Sequence, residues 1–151
     1  MLPRIQSVAL FTITLCIAAR ADADKPNILF IFADDQCYDT VRAFGNDEIQ
    51  TPNLDRMARQ GAHLANTFVT TSLCSPSRAT ILTGQYMHRH KVVDNQRAVP
   101  QGTRFFPEYL QASDIKTAYV GKWHMGGSND MPRPGFDYWA SFKGQGSYID
   151  P

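Results

Sequence analysis

The stretch KPNILFIFADD, residues 25–35, is the part of the sequence that most strongly determines the predicted fold. Residues 27–33 are almost continuously apolar and favour β structure, which is typical of a central strand buried on both faces. The run ends in two adjacent carboxylates, Asp34 and Asp35. The segment therefore predicts a buried strand with polar chemistry at its carboxyl end.

Helix and strand patterns alternate along the rest of the chain. Thr51 and Ser75 are candidate N-caps of two of the helices, because their hydroxyls suit that position and a proline follows each of them. The expected helices cover 51–61, 75–84 and 104–114, and the further expected strands cover 62–71, 115–124 and a short stretch at 138–142. This alternation predicts an α/β fold with a largely parallel sheet.

Residues that could carry chemistry follow the predicted strands. They are Asp34 and Asp35, then Cys74, and finally Lys122 with His124. Ligands of α/β folds bind at the carboxyl ends of the strands. We therefore expect three separate segments to contribute side chains to one edge of the sheet.

The first residues have the features of a secretory signal. Arg4 precedes the apolar run 8–19, and small residues follow in an A-x-A pattern. We predict a signal peptide over 1–23, a catalytic region over 24–151, and a secreted or periplasmic protein. An N-terminal anchor or a buried helix is the alternative interpretation. The sequence contains no other candidate membrane segment.

Composition is ordinary for a soluble domain. The chain has 151 residues, of which 43% are hydrophobic and 19% charged, and its formal net charge is +1. Nothing in this balance favours nucleic-acid binding, since the sequence has no basic stripe. After removal of the signal, the cysteines are Cys37 and Cys74, and in an exported protein such a pair also suggests a disulfide.

Cys74 lies at the predicted start of a helix, where unpaired backbone N–H groups favour an anion. Arg78, one turn further, could bind a tetrahedral oxyanion through its guanidinium. The pattern indicates a nucleophile beside an anion-binding helix end. A simple helix cap with a surface arginine is the alternative.

The other polar segments are weaker signals when taken alone. Asp34 and Asp35 offer oxygen ligands that suit calcium or magnesium, although such pairs are also common in solvated loops. Lys122 and His124 alternate at a strand end and could combine charge stabilisation with proton transfer. The HRH triplet at 88–90 could bind metal or sulfate, or could lie in a solvated loop.

Taken together, these segments resemble the sulfatase family. The motif CSPSRATILTG (74–84) is similar to the sulfatase signature, in which Cys-x-Pro-x-Arg opens a helix. PNILFIFADD, TPNLDRMARQG and GKWHMG resemble the segments that accompany that signature, in the same order. The resemblance implies the fold of the alkaline phosphatase superfamily, a central sheet sandwiched by helices.

The resemblance also implies a mechanism. A modifying enzyme would read Cys-x-Pro-x-Arg in the unfolded chain and oxidise Cys74 to formylglycine, whose geminal diol attacks the sulfur of a sulfate ester. Asp34, Asp35 and the modified residue 74 would bind a divalent cation, usually Ca²⁺ and alternatively Mg²⁺. Arg78 and Lys122 would hold the formylglycine or the sulfate oxygens. His124 would act near the formylglycine hydroxyls as a proton acceptor.

The chain departs from the family in length. The remaining metal ligands and a further Lys and His of sulfatases would lie beyond residue 151, so we expect an N-terminal fragment that is inactive alone. The substrate would be a sulfate ester, such as a sulfated carbohydrate. The alternatives are a phosphate or phosphonate ester hydrolase of the same superfamily and a non-catalytic, truncated secreted product.

Overall fold

The computed structural model of the chain describes residues 25–126, 129–147 and 149. The predicted signal peptide at 1–23 lies outside these residues. The chain divides into two structural units, of which the first ends at Ala33 and the second begins at Asp34. All of the helices and strands described below belong to the second unit.

The described part of the second unit contains four α-helices, two short 3-10 helices and two strands. In chain order, the 3-10 helices Tyr38–Thr40 and Arg42–Phe44 are followed by α1 (Pro52–Gln60), α2 (Cys74–Thr83), α3 (Met87–His90), α4 (Phe106–Gln111), β1 (Ala118–Lys122) and β2 (Tyr138–Phe142). The predicted helices at 51–61 and 75–84 and the predicted strand at 138–142 are therefore confirmed. The strand predicted at 115–124 forms only over residues 118–122. The predicted helix at 104–114 is shorter than expected.

The two strands pair in parallel, with Ala118 opposite Tyr138 and Lys122 opposite Phe142. Parallel pairing requires a crossover connection, which residues 123–137 supply. The described part of the chain thus combines helices with a parallel sheet of two strands.

Two predicted strands are not formed. Residues 27–33 and 62–71 have no strand pairing in the described structure. Ile28 and Leu29 are 79% and 85% exposed, although their pattern predicted burial on both faces. A strand forms only where neighbouring strands satisfy its backbone groups, and the described sheet offers these segments no such neighbour.

The helix caps differ in detail from the prediction. Thr51 does occupy the N-cap of α1, but its hydroxyl donates to Asp55 Oδ1 at 2.8 Å instead of capping the backbone. Ser75 is not the cap of α2, because Leu73 occupies that position and Cys74 is the first helical residue. The prediction for Ser75 was therefore wrong by two positions.

A small core joins α2 to the strands. Its buried members come from α2, the connections and the end of β1: Ala79, Leu82, Val92, Phe105, Trp123 and Met125. Tyr119, Phe136 and Trp139 pack against this core from the sheet side. Burial of this apolar surface fixes α2 against β1, the two elements that carry the candidate site. Within the described residues, no helix is both long and apolar enough to traverse a bilayer.

Candidate active site

The start of α2 holds Cys74 in a defined position. Leu73 is extended, and its carbonyl accepts the backbone N–H of Ser77 at 2.9 Å. The Asn95 side chain accepts the N–H of Ser75 at 3.1 Å, which satisfies one of the unpaired donors of the first turn. Gly84 ends the helix with a φ of 66°, a conformation that glycine adopts without strain.

Arg78 lies one turn after Cys74 and links two distant segments. Its side chain is buried, with 8% exposure. Nη2 donates to Asp34 Oδ1 at 2.8 Å, and Nη1 donates to the Lys122 carbonyl at 2.5 Å. Both bonds involve a guanidinium charge and are of the stronger kind. Arg78 thereby connects the start of the second unit to the end of β1.

Lys122 closes this arrangement into a ring. Its Nζ donates to Asp34 Oδ2 at 2.7 Å, so each carboxylate oxygen of Asp34 has a cationic partner. We call these three residues the Asp34–Arg78–Lys122 ring. Lys122 Nζ also lies 3.6 Å from Cys74 Sγ as a hydrogen-bond donor. The ring therefore presents a fixed ammonium group to the first residue of α2.

The charges of the ring support one another. The hydrogen bond from Lys122, and next that from Arg78, keep the pKa of Asp34 below its usual value despite its partial burial. Burial opposes the charged form of Lys122, but Asp34 and Cys74 outweigh it and raise the pKa of Lys122. Asp34 is thus anionic and Lys122 cationic at neutral pH.

His124 lies two residues after Lys122 and is 7% exposed. Its φ of 51° is an uncommon conformation for a residue with a side chain. The Ser75 hydroxyl donates to its carbonyl, which ties His124 to the first turn of α2. Burial, and then the cations Lys122 and Arg78, lower the pKa of His124, so its ring is neutral at pH 7. Its Nδ1 has no hydrogen-bond partner among the described residues.

The two cysteines are not joined. Cys37 is exposed and Cys74 is half-buried, and both are free thiols. The alternative of a Cys37–Cys74 disulfide is therefore wrong for this structure. Cys74 remains available for chemistry beside Lys122.

The comparisons with known proteins now identify the family. The profile of the sulfatase family matches residues 26–151. The chain belongs to the sulfatase family. It is 37% identical over 136 residues to an N-acetylglucosamine-6-O-sulfatase of Bacteroides thetaiotaomicron, and 39% identical over 125 residues to arylsulfatase A of Bos taurus.

A solved sulfatase structure supports the same assignment. The structure of BT4656 in complex with its substrate D-glucosamine-2-N,6-O-disulfate matches with a TM-score of 0.68 and 37% identity, over 75% of this chain and 22% of that chain. The alkaline-phosphatase-like α/β fold is thus confirmed, as a partial sheet with its helices. The matches to the two curated sulfatases cover 87% and 78% of this chain, but only 24% and 25% of those proteins.

Asp35, the second predicted metal ligand, is not part of the ring. It is exposed, has a φ of 53°, and makes no hydrogen bond or ion pair in the described part of the chain. No group of three or more His, Cys, Asp or Glu side chains there could hold a metal ion. The oxygen donors of Asp34 and Asp35 fit the hard cation of a sulfatase in type, but they are too few for a complete site.

The HRH triplet has a structural place. It lies in α3, and His90 is only 2% exposed. Its Nδ1 accepts the N–H of Val92 at 3.1 Å, while Nε2 lies 3.1 Å from Thr80 Oγ1. Both ring nitrogens are therefore occupied, and the interpretation of these residues as a solvated loop was wrong for His90.

Sequence reasoning missed the contacts of three residues at this site, although it had named Ser75 as a candidate cap. Ser75 and Asn95 hold the first turn of α2, and Tyr119 donates a hydrogen bond to the Lys122 carbonyl. Ser75 could have been found from its position inside the Cys-x-Pro-x-Arg motif. No pattern of neighbouring residues marks Asn95, because its partner Ser75 lies twenty residues earlier in the chain. None marks Tyr119 either, because its partner is a backbone carbonyl.

Proposed function

We propose that the chain provides part of the active site of an exported enzyme that hydrolyses sulfate esters, giving an alcohol and sulfate from the ester and water. The observation that carries the proposal is the Asp34–Arg78–Lys122 ring, with Lys122 Nζ 3.6 Å from Cys74 Sγ. The Arg78 and Lys122 side chains are 8% and 10% exposed, and two such cations near a half-buried Cys74 suit the tetrahedral, negatively charged sulfate group of an ester. Membership of the sulfatase family supports the same reaction.

In this proposal residue 74 acts as formylglycine, made from Cys74 by a modifying enzyme that reads Cys-x-Pro-x-Arg. The hydrated aldehyde supplies the nucleophilic oxygen for attack at sulfur. Arg78 and Lys122 bind the sulfate oxygens and stabilise the charge that develops on them. His124 accepts a proton near residue 74, which agrees with its buried, neutral ring.

A divalent cation completes the proposed site. Asp34, Asp35 and residue 74 would hold it through oxygen, with Ca²⁺ preferred and Mg²⁺ as the alternative. Bound there, the cation would supply positive charge against the sulfate oxygens. Because the described donors are too few for such a cation, we propose that the 151-residue chain alone is inactive.

The proposed substrate class is a sulfated carbohydrate. The curated relative with 37% identity is an N-acetylglucosamine-6-O-sulfatase, and the matching solved structure contains a glucosamine disulfate. The pattern of a signal peptide at 1–23 supports export to the periplasm or the outside, where sulfated polysaccharides occur.

A comparison of two cysteine variants tests the proposal. The full protein, co-expressed with a formylglycine-generating enzyme, should hydrolyse an aryl sulfate faster than the matching aryl phosphate. Peptide mass spectrometry should find an aldehyde at position 74. Cys74→Ala should remove activity, whereas Cys37→Ala, which alters an exposed thiol, should retain it.

Other results would contradict parts of the proposal. Full activity with only unmodified cysteine at position 74 would exclude the formylglycine mechanism. Faster turnover of the aryl phosphate would instead assign the chain to a phosphate ester hydrolase.

A further inference from the structure

Tyr119 is a half-buried residue of β1, and its hydroxyl contacts the backbone carbonyl of Lys122, a residue of the candidate site. We infer that Tyr119 is a positioning residue, which holds the Lys122 carbonyl so that Arg78 and the Lys122 ammonium are fixed beside residue 74. The role of these cations in catalysis rests on the proposed function. The positions of the three side chains do not.

The inference begins with the shape of β1 near its end. Residues 119 and 122 are three positions apart, which in a straight strand is about 10 Å and beyond the reach of a tyrosine hydroxyl to its own strand. Gly121 lies between them with a φ of 119°, which side chains rarely permit. β1 therefore departs from straight strand geometry at Gly121 while its pairing with β2 continues to Lys122, and the Lys122 carbonyl accepts the Tyr119 hydroxyl.

Two donors converge on this one carbonyl oxygen. Arg78 Nη1 donates to it at 2.5 Å from α2, and the Tyr119 hydroxyl donates to it from within β1. A carbonyl oxygen has two lone pairs and can accept both. The backbone of Lys122 is thus restrained from two sides, and Arg78 is oriented by a group whose own position is fixed.

The Tyr119 ring is itself held in place by aromatic neighbours. It stacks on Trp139 with a centroid distance of 4.8 Å, and it meets Trp123 and Phe136 edge-on at 5.5 Å and 5.3 Å. Burial raises the pKa of Tyr119 even though Arg78 opposes this, so the phenol keeps its proton and remains a donor. The hydroxyl therefore has little freedom to leave the carbonyl.

The consequence concerns both cations of the ring. If the Tyr119 hydroxyl is lost, then of these two donors to the Lys122 carbonyl only Arg78 is left. Both Arg78 and Lys122 Nζ are within 2.8 Å of Asp34, so a shift of the Lys122 backbone displaces each from its partner. Small displacements of this kind lower the rate of reaction even when the fold is retained.

Tyr119→Phe tests the inference, because it removes the hydroxyl and keeps the stacked ring. In the full, modified protein we expect kcat/KM for a sulfate ester to fall about tenfold, as for loss of one hydrogen bond, with a Tm close to that of the unaltered protein. Tyr138→Phe, at an exposed position of β2, is the matched control. Val92→Ala, in the buried core, should lower the Tm and retain kcat/KM.

A second measurement does not depend on activity. Competitive acetylation of Lys122, read by peptide mass spectrometry, should be several-fold faster in Tyr119→Phe, because Nζ is less firmly held by Asp34. Lys116, whose side chain is 90% exposed, is the internal reference. An unaltered protein without sulfatase activity would contradict the proposed function, but the acetylation rates would still test Tyr119.

Three results would overturn the inference. The first is an unchanged rate of Lys122 acetylation in Tyr119→Phe. The second is a kcat/KM within twofold of the unaltered protein. The third is a loss of activity that follows a loss of Tm, as it would for a residue that only supports the core.

Discussion

Residues 27–33 and helix α2 were both predicted as secondary structure, but only α2 forms in the described structure. The difference shows that a helix can form from its own residues, whereas a strand cannot. Residues 27–33 are an apolar run that ends at Asp34, whereas α2 mixes polar and apolar residues and begins at Cys74. In α2, Ala79 and Leu82 are 0% and 7% exposed, whereas Leu29 in the first segment is 85% exposed. An α-helix makes its backbone hydrogen bonds within itself, but a strand depends on neighbouring strands. The apolar pattern alone therefore does not distinguish a buried segment from one that has no strand neighbour in the described part of the chain.

The same substitution in the two segments gives the largest expected difference in stability. Leu82→Ala should lower the free energy of unfolding of the 151-residue chain by about 2–5 kcal/mol, since it leaves a cavity in the core. Leu29→Ala should change it by no more than about 0.5 kcal/mol, as for an exposed position. Urea unfolding measures both. Equal losses would show that residues 27–33 are packed in solution, and would remove the contrast between the segments.

Replacement of a lysine at the end of β1 should reduce activity much more than replacement of a lysine just before β1. Lys122→Ala in the full, modified protein should reduce kcat at least a hundredfold, or about 2.7 kcal/mol of transition-state stabilisation, because a fixed positive charge is lost. Lys116→Ala, just before β1 and with its side chain 90% exposed, is the control and should stay within twofold. Steady-state kinetics on an aryl sulfate measure both variants. A Lys122→Ala enzyme with near-normal kcat would exclude this lysine from the site.

The smallest expected effect is on the pH dependence of the free energy of unfolding, and it differs between His90 and His88, which are two residues apart in α3. Burial and the nearby His88 charge hold the pKa of His90 below its unfolded value near 6.5. The unfolded chain then binds the proton more readily, so the stability from His90 is present above pH 6.5 and decreases as the pH falls below it. One such group contributes at most about 1.4 kcal/mol per pH unit.

Two variants measure this contribution. His90→Gln should flatten the decrease in the free energy of unfolding between pH 7.5 and 5.5, whereas His88→Gln should reduce it less, because it removes only the smaller contribution of His88 to the lowered pKa of His90. His124, with a lowered pKa of its own, keeps part of the dependence in both variants. If both variants showed the slope of the unaltered chain, His90 would not be the group responsible.

Much of the site could be predicted from the sequence, because the signals for it depend on residues that are close together in the chain. Thr51 at an N-cap, Pro76 in the first turn and Gly84 at a helix end are signals read from neighbouring residues. The convergence of Asp34, Cys74 and Lys122 was expected because each follows a predicted strand. It is confirmed in the structure, although the segment before Asp34 is not a strand.

The rest depended on partners that a sequence pattern does not specify. Ser75 was predicted as a cap, but its N–H is taken by Asn95, twenty residues further along the chain. Asp35 was grouped with Asp34 by adjacency, yet only Asp34 meets the two cations. Tyr119 had the pattern of an ordinary strand residue, and its role follows from its contact with the Lys122 carbonyl across Gly121, whose φ of 119° a sequence pattern does not specify.

The Asp34–Arg78–Lys122 ring also has a consequence for the order of folding. Its bonds join residues 44 positions apart in two cases and 88 in the third. Contacts between such distant residues form slowly, because the long intervening chain must first be ordered. We therefore expect the ring to be completed late, after α2 has formed. Late completion of the ring would keep Lys122 away from Cys74 at the earlier, unfolded stage, in which the proposed modifying enzyme would act on Cys74.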